Sequence, residues 1–349
     1  MYPKLSLNIV AWNSMDFLPD LLRSIDEQTY KDFSVLVIDN ASSDGVEAYV
    51  RTHHPHVTIL RNTRNIGFSP AHNQGIRFVR ERWQGEDLSD RYVLVTNPDV
   101  IMSPTYLERL MADVSEHKDV AAFGGKLLRA YHEHPEDESL HETMKSDRID
   151  STGVTARRAR TFHERGAGEL DRAQYDNDRD VFAISGALAL YRMSALDDVR
   201  YQDEFFDHDF FAYKEDVDLC WRLRLLGWGV RYVPEAVAYH HRNMYGADKT
   251  GLIALIRNRR RKSLRRSYFS NRNHWNMLLK NELVWNALLA APWMVTMELA
   301  RFVYVLFFET KNIKSFFEAI ARTPRMWRKR RETMKKRKAS AADMRRWFV

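Results

Sequence analysis

Tyr92-Val93-Leu94-Val95-Thr96-Asn97-Pro98-Asp99 is the stretch that decides the fold. A run of strand-forming residues ends abruptly on a turn that carries an amide and a carboxylate. Toward the N-terminus, Leu5–Ala11, Phe33–Ile38 and Val57–Leu60 read as further strands. Helical periodicity over Phe17–Ile25, Val46–Thr52 and Ala71–Arg82 separates them. In the other direction Pro104 opens a helix over Tyr106–His117, and Val120–Gly124 follows as a strand. This β-α alternation predicts an α/β fold, a Rossmann-like and mostly parallel sheet with helices on both faces. Ligands of such sheets bind beyond the carboxyl ends of the strands, where Asp39 and Asn97–Asp99 fall.

Residues 129–180 are polar and lack a clear period, so they are expected to form a long excursion partly covering that site. Val181–Tyr191 is apolar again. A helix is expected over Asp216–Leu226, closed by Gly227, with short strands at Val230–Val233 and Val237–Tyr239.

Charge divides the chain. Of 54 Lys/Arg and 47 Asp/Glu, residues 251–349 hold 24 and 6, leaving 30 and 41 in residues 1–250. We therefore expect a catalytic domain over 1–250 and a basic, amphipathic helical extension over 251–349. The single cysteine, Cys220, excludes an internal disulfide and a cysteine-based zinc site, and fits a reducing compartment. Met1-Tyr2-Pro3-Lys4-Leu5 runs directly into a strand pattern, so no leader peptide is expected.

In the extension, apolar Leu283–Phe308 lies between the basic runs Arg257–Arg266 and Arg322–Lys338. Pro292, Glu298 and Arg301 interrupt it, which predicts an in-plane helical hairpin kinked at Pro292 rather than a bilayer span, with Glu298 and Arg301 paired. An anionic membrane surface is the expected partner. No nucleic-acid motif accompanies the basic runs, so no nucleic acid is expected. A helical dimerisation surface, giving a homo-oligomer, is the plainer reading of the same helices.

Two sets of carboxylates stand far apart, Asp99 and the run Glu215-Asp216-Val217-Asp218, with His240-His241 beyond. One set can hold a divalent cation against a pyrophosphate while the other takes a proton from an attacking hydroxyl, which suggests transfer from a nucleotide sugar. Each residue also has a plain alternative. Asp39 can close an Asx turn, Trp12 can be core, Arg64 can be a solvated charge, and carboxylates at a helix start complement its dipole.

The ordered motifs resemble family 2 glycosyltransferases of GT-A fold, and within them bacterial rhamnosyltransferases that elongate lipid-linked polysaccharides. The resemblance covers about residues 5–243. It rests on Ile9-Val10-Ala11-Trp12-Asn13, Val37-Ile38-Asp39-Asn40-Ala41-Ser42-Ser43-Asp44, Arg64-Asn65-Ile66-Gly67-Phe68 with Asn73 and Gly75, and Asn97-Pro98-Asp99. Ser185-Gly186-Ala187, Phe210 to Leu219, and Val233-Pro234-Glu235-Ala236 leading to His240 complete it.

The resemblance implies an inverting, metal-dependent transferase at the cytoplasmic face of the membrane. Its donor would be dTDP-rhamnose, or alternatively a UDP-hexose or UDP-N-acetylhexosamine, and its acceptor a polyprenyl-diphosphate-linked glycan. It implies Asp216 as general base, with Glu215 and Asp218 as competitors for that role or contacts to the acceptor. Ala11, Trp12, Asp39, Arg64 and Asn97 would bind the nucleotide, Asp99 and His240 would hold Mg²⁺ or Mn²⁺, and Gly186 would let backbone approach a sugar. Asn97 stands where the family's metal motif begins with aspartate. His240 and His241 are not separable at this level, and Asp150-Ser151-Thr152-Gly153 receives no chemical role. A membrane-bound glycan-binding protein is the reading from another class. A nicotinamide dehydrogenase and a P-loop kinase are disfavoured, since neither glycine motif is present.

Overall fold

The computed structural model of the chain describes residues 2–132, 143–241 and 263–349. Along it run β1 (Leu5–Ala11), α1 (Leu18–Asp26), β2 (Phe33–Asp39), α2 (Val46–His53), β3 (Thr58–Arg61), α3 (Phe68–Arg82), β4 (Tyr92–Thr96), β5 (Val100–Met102), α4 (Tyr106–Glu116) and β6 (Val120–His132). From residue 143 follow β7 (Thr143–Ser151), β8 (Val154–Ala156), β9 (Phe162–Glu164), β10 (Leu188–Arg192), α5 (Met193–Val199), α6 (Glu215–Leu225) and β11 (Gly229–His241). The C-terminal helices are α7 (Leu264–Asn281), α8 (Val284–Phe308), α9 (Lys314–Lys336) and α10 (Ala341–Arg345).

The main sheet has the order β3-β2-β1-β4-β10-β6-β11-β5, with β7 added on β6. The β3-β2-β1-β4 half is parallel as the alternation requires. Beyond it the sheet is mixed: β10 runs against both β4 and β6, while β11 runs parallel to β6. β10 is entered from the edge where β4 ends, without a helical crossover, so it must descend antiparallel. That reversal brings Ser185–Ala187 beside Asn97, whose amide donates to the Ala187 carbonyl at 2.9 Å.

Both faces are covered. In β2, Val35 and Val37 pack toward the core shared with α1, α2 and α4, whereas Leu36 and Ile38 face α3, α5 and α6. This is the two-residue alternation of a strand buried on both sides.

Three expectations are corrected. Residues 143–164 are not structureless but form β7, β8 and β9, and register shifts in the β6–β7 pairing explain why no regular alternation shows in the sequence. Leu283–Phe308 is not a kinked hairpin but one helix, α8, with Pro292 inside it. Proline removes one donor from the ladder, the one that would meet the Leu288 carbonyl, and the helix continues to Phe308. Among the described residues α8 is long and apolar enough to cross a membrane, and most of it is exposed. The two short strands expected near Pro234 are one strand, β11, with an irregularity between Val233 and Val237.

The C-terminal helices are fastened to the sheet domain by buried charges. Lys280 of α7 reaches Asp207 and Asp218, and Lys329 of α9 reaches Asp207, Glu204 and Asp209. Burial opposes the charge on Asp207, but the two ammonium groups outweigh it and hold its carboxyl below the usual range. Removing one partner from such a cluster strands the others in the interior. Lys280→Ala is therefore expected to cost about 3–5 kcal/mol in urea unfolding. Lys335→Ala, which breaks only the exposed pair with Glu332, is expected to cost less than about 1 kcal/mol.

Candidate active site

The site edge is built by the turns that follow β1, β2 and β4. Asp39 ends β2 and is fully buried. Its Oδ1 accepts from the Ser42 amide at 2.8 Å, the local turn. Its Oδ2 has no hydrogen-bond partner and lies 3.6 Å from Arg61 Nε. The turn and the base-reading role are thus compatible, because they use different oxygens.

The Ala11 carbonyl accepts from the Asn40 amide at 2.8 Å, and Asn13 is tied to Ser42 and Ser43, so the first two turns move as one. Trp12 is 49% exposed, which rules out a core role and leaves its ring free to stack. Arg64 is exposed on the loop before Gly67. Gly67 has φ +90 and any Cβ there would lie 2.5 Å from the Phe211 carbonyl, so glycine is required for α3 to start against that segment.

Asp99 and His240 meet. Pairing of β11 with β5 sets His240 opposite Val100, and His240 Nε2 lies 3.3 Å from Asp99 Oδ1. The other ring nitrogen, Nδ1, is 2.8 Å from Oδ2 of the buried Asp150. Burial works against a charged ring here, but Asp150 and then Asp99 outweigh it and push the imidazole up to about 10. His241 turns the other way, with its ring against Phe17 at 5.2 Å and its amide donating to the Asp99 carbonyl. His240 is therefore the inward residue.

Asp99 Oδ1 makes no hydrogen bond. It stands 3.3 Å from His240 Nε2, near enough for both atoms to address one ion. A carboxylate behind a ligand imidazole is the usual support for a metal-bound histidine. With Nε2 deprotonated, Asp99 and His240 would offer a divalent cation one carboxylate oxygen and one ring nitrogen, so metal binding there would displace the proton that the two carboxylates favour. Asp150 is the residue that the sequence left without a role. Only the pairing of β6 with β7 and β11 brings it to His240.

Three neighbouring carboxylates take three environments. Asp216 is half-buried; its Oδ2 accepts from the Gly186 amide at 2.9 Å and its Oδ1 from the Val217 amide at 2.8 Å. Burial raises its carboxyl above the usual range against the pull of those amides. Glu215 is buried, Oε2 has no partner, and burial with the adjacent Asp216 charge pushes it well above its usual range. Asp218 is fully buried and accepts from Arg222, Lys280 and Asn281 at 2.8–3.0 Å. The acceptor contacts expected of Glu215 and Asp218 are therefore corrected: one is an interior group and the other an anchor for α7. Gly186 serves Asp216 directly, since a Cβ there would sit 3.2 Å from the Asp216 Cβ.

α6 begins from a strained turn that local residue patterns do not signal. Tyr213 and Lys214 have φ of 73° and 72°, the left-handed region that costs roughly 1–3 kcal/mol for such residues. The buried Asn273 of α7 holds them, its Nδ2 donating to the carbonyls of Ala212 and Tyr213, each at 2.9 Å.

A family model described as "Glycosyltransferase like family 2" matches residues 3–264. The N-acetylglucosaminyl-diphospho-decaprenol L-rhamnosyltransferase of Mycobacterium tuberculosis is 30% identical over 252 residues, covering 70% of this chain and 78% of that protein. Rhamnosyltransferase WbbL of Escherichia coli K12 is 29% identical over 241 residues, covering 67% and 81%. The solved structure of GalNAc-T7 with UDP, GalNAc and Mn²⁺ is similar with a TM-score of 0.55 at 12% identity, over 80% of this chain. This chain spans about half of that protein, 48%, and the likeness is one of fold.

If Asn273 maintains the strained turn, Asn273→Ala should destabilise by about 2 kcal/mol and speed amide exchange over residues 213–218. Lys214→Gly in the same chain should restore about 1 kcal/mol and slow that exchange, because glycine accepts φ near +70° without strain.

Proposed function

The chain belongs to glycosyltransferase family 2, and on that premise we propose that it moves L-rhamnose from dTDP-rhamnose to a polyprenyl-diphosphate-linked glycan with inversion. The observation that carries the chemistry is Asp216, a half-buried carboxylate fixed by two backbone amides and raised above the usual range. It accepts the proton of the acceptor hydroxyl. That oxygen bonds to the anomeric carbon, and the bond from this carbon to the diphosphate breaks with its electrons leaving on the nucleoside diphosphate. One displacement inverts configuration, so a β-linked donor gives an α-linked product.

Asp99 and His240 would hold Mg²⁺ or Mn²⁺, with Asp150 orienting the imidazole. The cation supplies neutralisation of charge on the leaving diphosphate. Asp39 Oδ2 accepts the N3–H of the base, Trp12 stacks on it, and Arg64 and Asn97 lie toward the diphosphate. Uracil and thymine offer the same N3–H, so Asp39 does not distinguish a UDP-sugar from dTDP-rhamnose. Rhamnose is supported by the curated relatives, two of which are rhamnosyltransferases.

Attachment to the cytoplasmic face of an anionic membrane is supported by α8. It exposes Trp285, Leu288, Trp293 and Phe307 beside the basic α9. Buried aromatic and aliphatic surface and charge attraction act together in such binding.

Incubation with dTDP-rhamnose, Mn²⁺ and a polyprenyl-diphosphate glycan should release dTDP only when acceptor is present, and Asp216→Asn should lower the rate at least about 100-fold. The rate should fall as pH drops through the raised Asp216 range, above the ~3.9 of a free aspartate, because the base must be deprotonated. Release from UDP-sugars alone would move the donor. In a second measurement, the protein should float with vesicles containing anionic lipid and detach in high salt. Leu288→Asp with Phe307→Asp should abolish flotation without lowering soluble turnover on a short-chain acceptor.

A further inference from the structure

A second cluster of donor atoms lies away from the catalytic edge. Asp26 is the last residue of α1, and His54 and His56 stand in the short His54-Pro55-His56 link between α2 and β3. His54 Nδ1 is 3.2 Å from Asp26 Oδ2, and His56 Nε2 is 3.4 Å from Asp26 Oδ1. One donor atom from each of the three residues lies within 4.8 Å of the other two. We propose that this is a binding site for a borderline transition-metal ion of the Zn²⁺ class, separate from the hard cation of the transfer reaction.

The first argument is that His54 is more than nine-tenths buried and its Nδ1 has no hydrogen-bond partner. A buried ring nitrogen aimed at a carboxylate without making a hydrogen bond needs another partner. The backbone fixes that aim, because the His54 amide donates to Val50 and its carbonyl accepts from the Val57 amide, both at 2.9 Å. The second argument is distance. Hydrogen bonds between imidazole and carboxylate close to about 2.8 Å, whereas ligands of a tetrahedral ion with bonds of 2.0–2.1 Å stand about 3.3 Å apart. At 3.2 and 3.4 Å, each to a different oxygen of Asp26, both nitrogens stand farther off than such a hydrogen bond, as they would with an ion between them.

The rings of His54 and His56 are inclined at 69°, so two imidazoles can address one ion without stacking. The nearby Lys31 ammonium donates to the Asp26 carbonyl and not to its carboxylate. Two imidazoles and one carboxylate select zinc, cobalt or nickel over magnesium or calcium, and a water completes the tetrahedron. The bound ion links the end of α1 to the strand-leading segment of β3, which makes it a structural clamp on the nucleotide-side half of the sheet. His56 is exposed and can swing to close the third edge.

Tag-free full-length protein, stripped with chelator, is titrated with ZnCl₂ in a calorimeter and with CoCl₂ in an absorption spectrometer. One saturable equivalent of zinc, tetrahedral cobalt bands and a rise of a few degrees in the unfolding midpoint are expected. His56→Ala and Asp26→Asn should each remove all three signals, while Asp99→Asn should keep them. His56→Ala alters an exposed side chain, so its fold is secure. Absence of saturable binding, or binding that persists in both variants, would overturn the site.

Discussion

Asp207 and Asp218 are buried anions, and the interior tolerates them only because Lys280 and Lys329 are buried against them. The residues that bring the acids together lie in the sheet domain, and those that bring the bases lie in the C-terminal helices. Neither part has a low-energy interior alone. This constraint orders much else: it fixes α7 against the start of α6, which lets Asn273 reach the turn that presents Asp216. The carboxylate proposed to accept the proton is thus placed by a helix outside the sheet.

The separation of roles among Glu215, Asp216 and Asp218 follows from where one helical turn points each carboxylate. Asp218 faces cations, accepting from Arg222, Lys280 and Asn281. Glu215 is buried beside Asp216, which raises its carboxyl well above the usual range. Asp216 lies between, partly wet and partly held by amides, which suits a group that must accept a proton and release it again. Three acids within four positions would otherwise compete. Burial divides the work.

Much of this was legible in the sequence, for physical reasons that also mark the limit. The strands and helices through Tyr106–Glu116 depend on local periodicity, and β4 has the boundaries its residues predict. Asp39 and Asn97–Asp99 fall at the sheet edge because turns follow buried strands. Asp150 and Asn273 were invisible because their meaning lies in contacts 90 and 60 residues away. β7 to β9 were missed since short polar strands with shifted register show no period. In α8, composition suggested an interrupted helix, but one proline removes a single rung of the ladder and the helix continues past it. Separating His240 from His241 required the strand register, as one residue inverts the face.

The interlock of acids and bases also sets the timing of biosynthesis. Lys280 is 62 residues beyond Asp218, so a ribosome adding about 5–20 residues per second leaves the buried acids without their counter-charge for several seconds. During that interval the sheet domain is exposed as an incomplete body with anions at its future interface. Chaperone capture of the nascent chain, or early arrival at a membrane that holds the emerging helices, would then decide how much protein reaches the folded state.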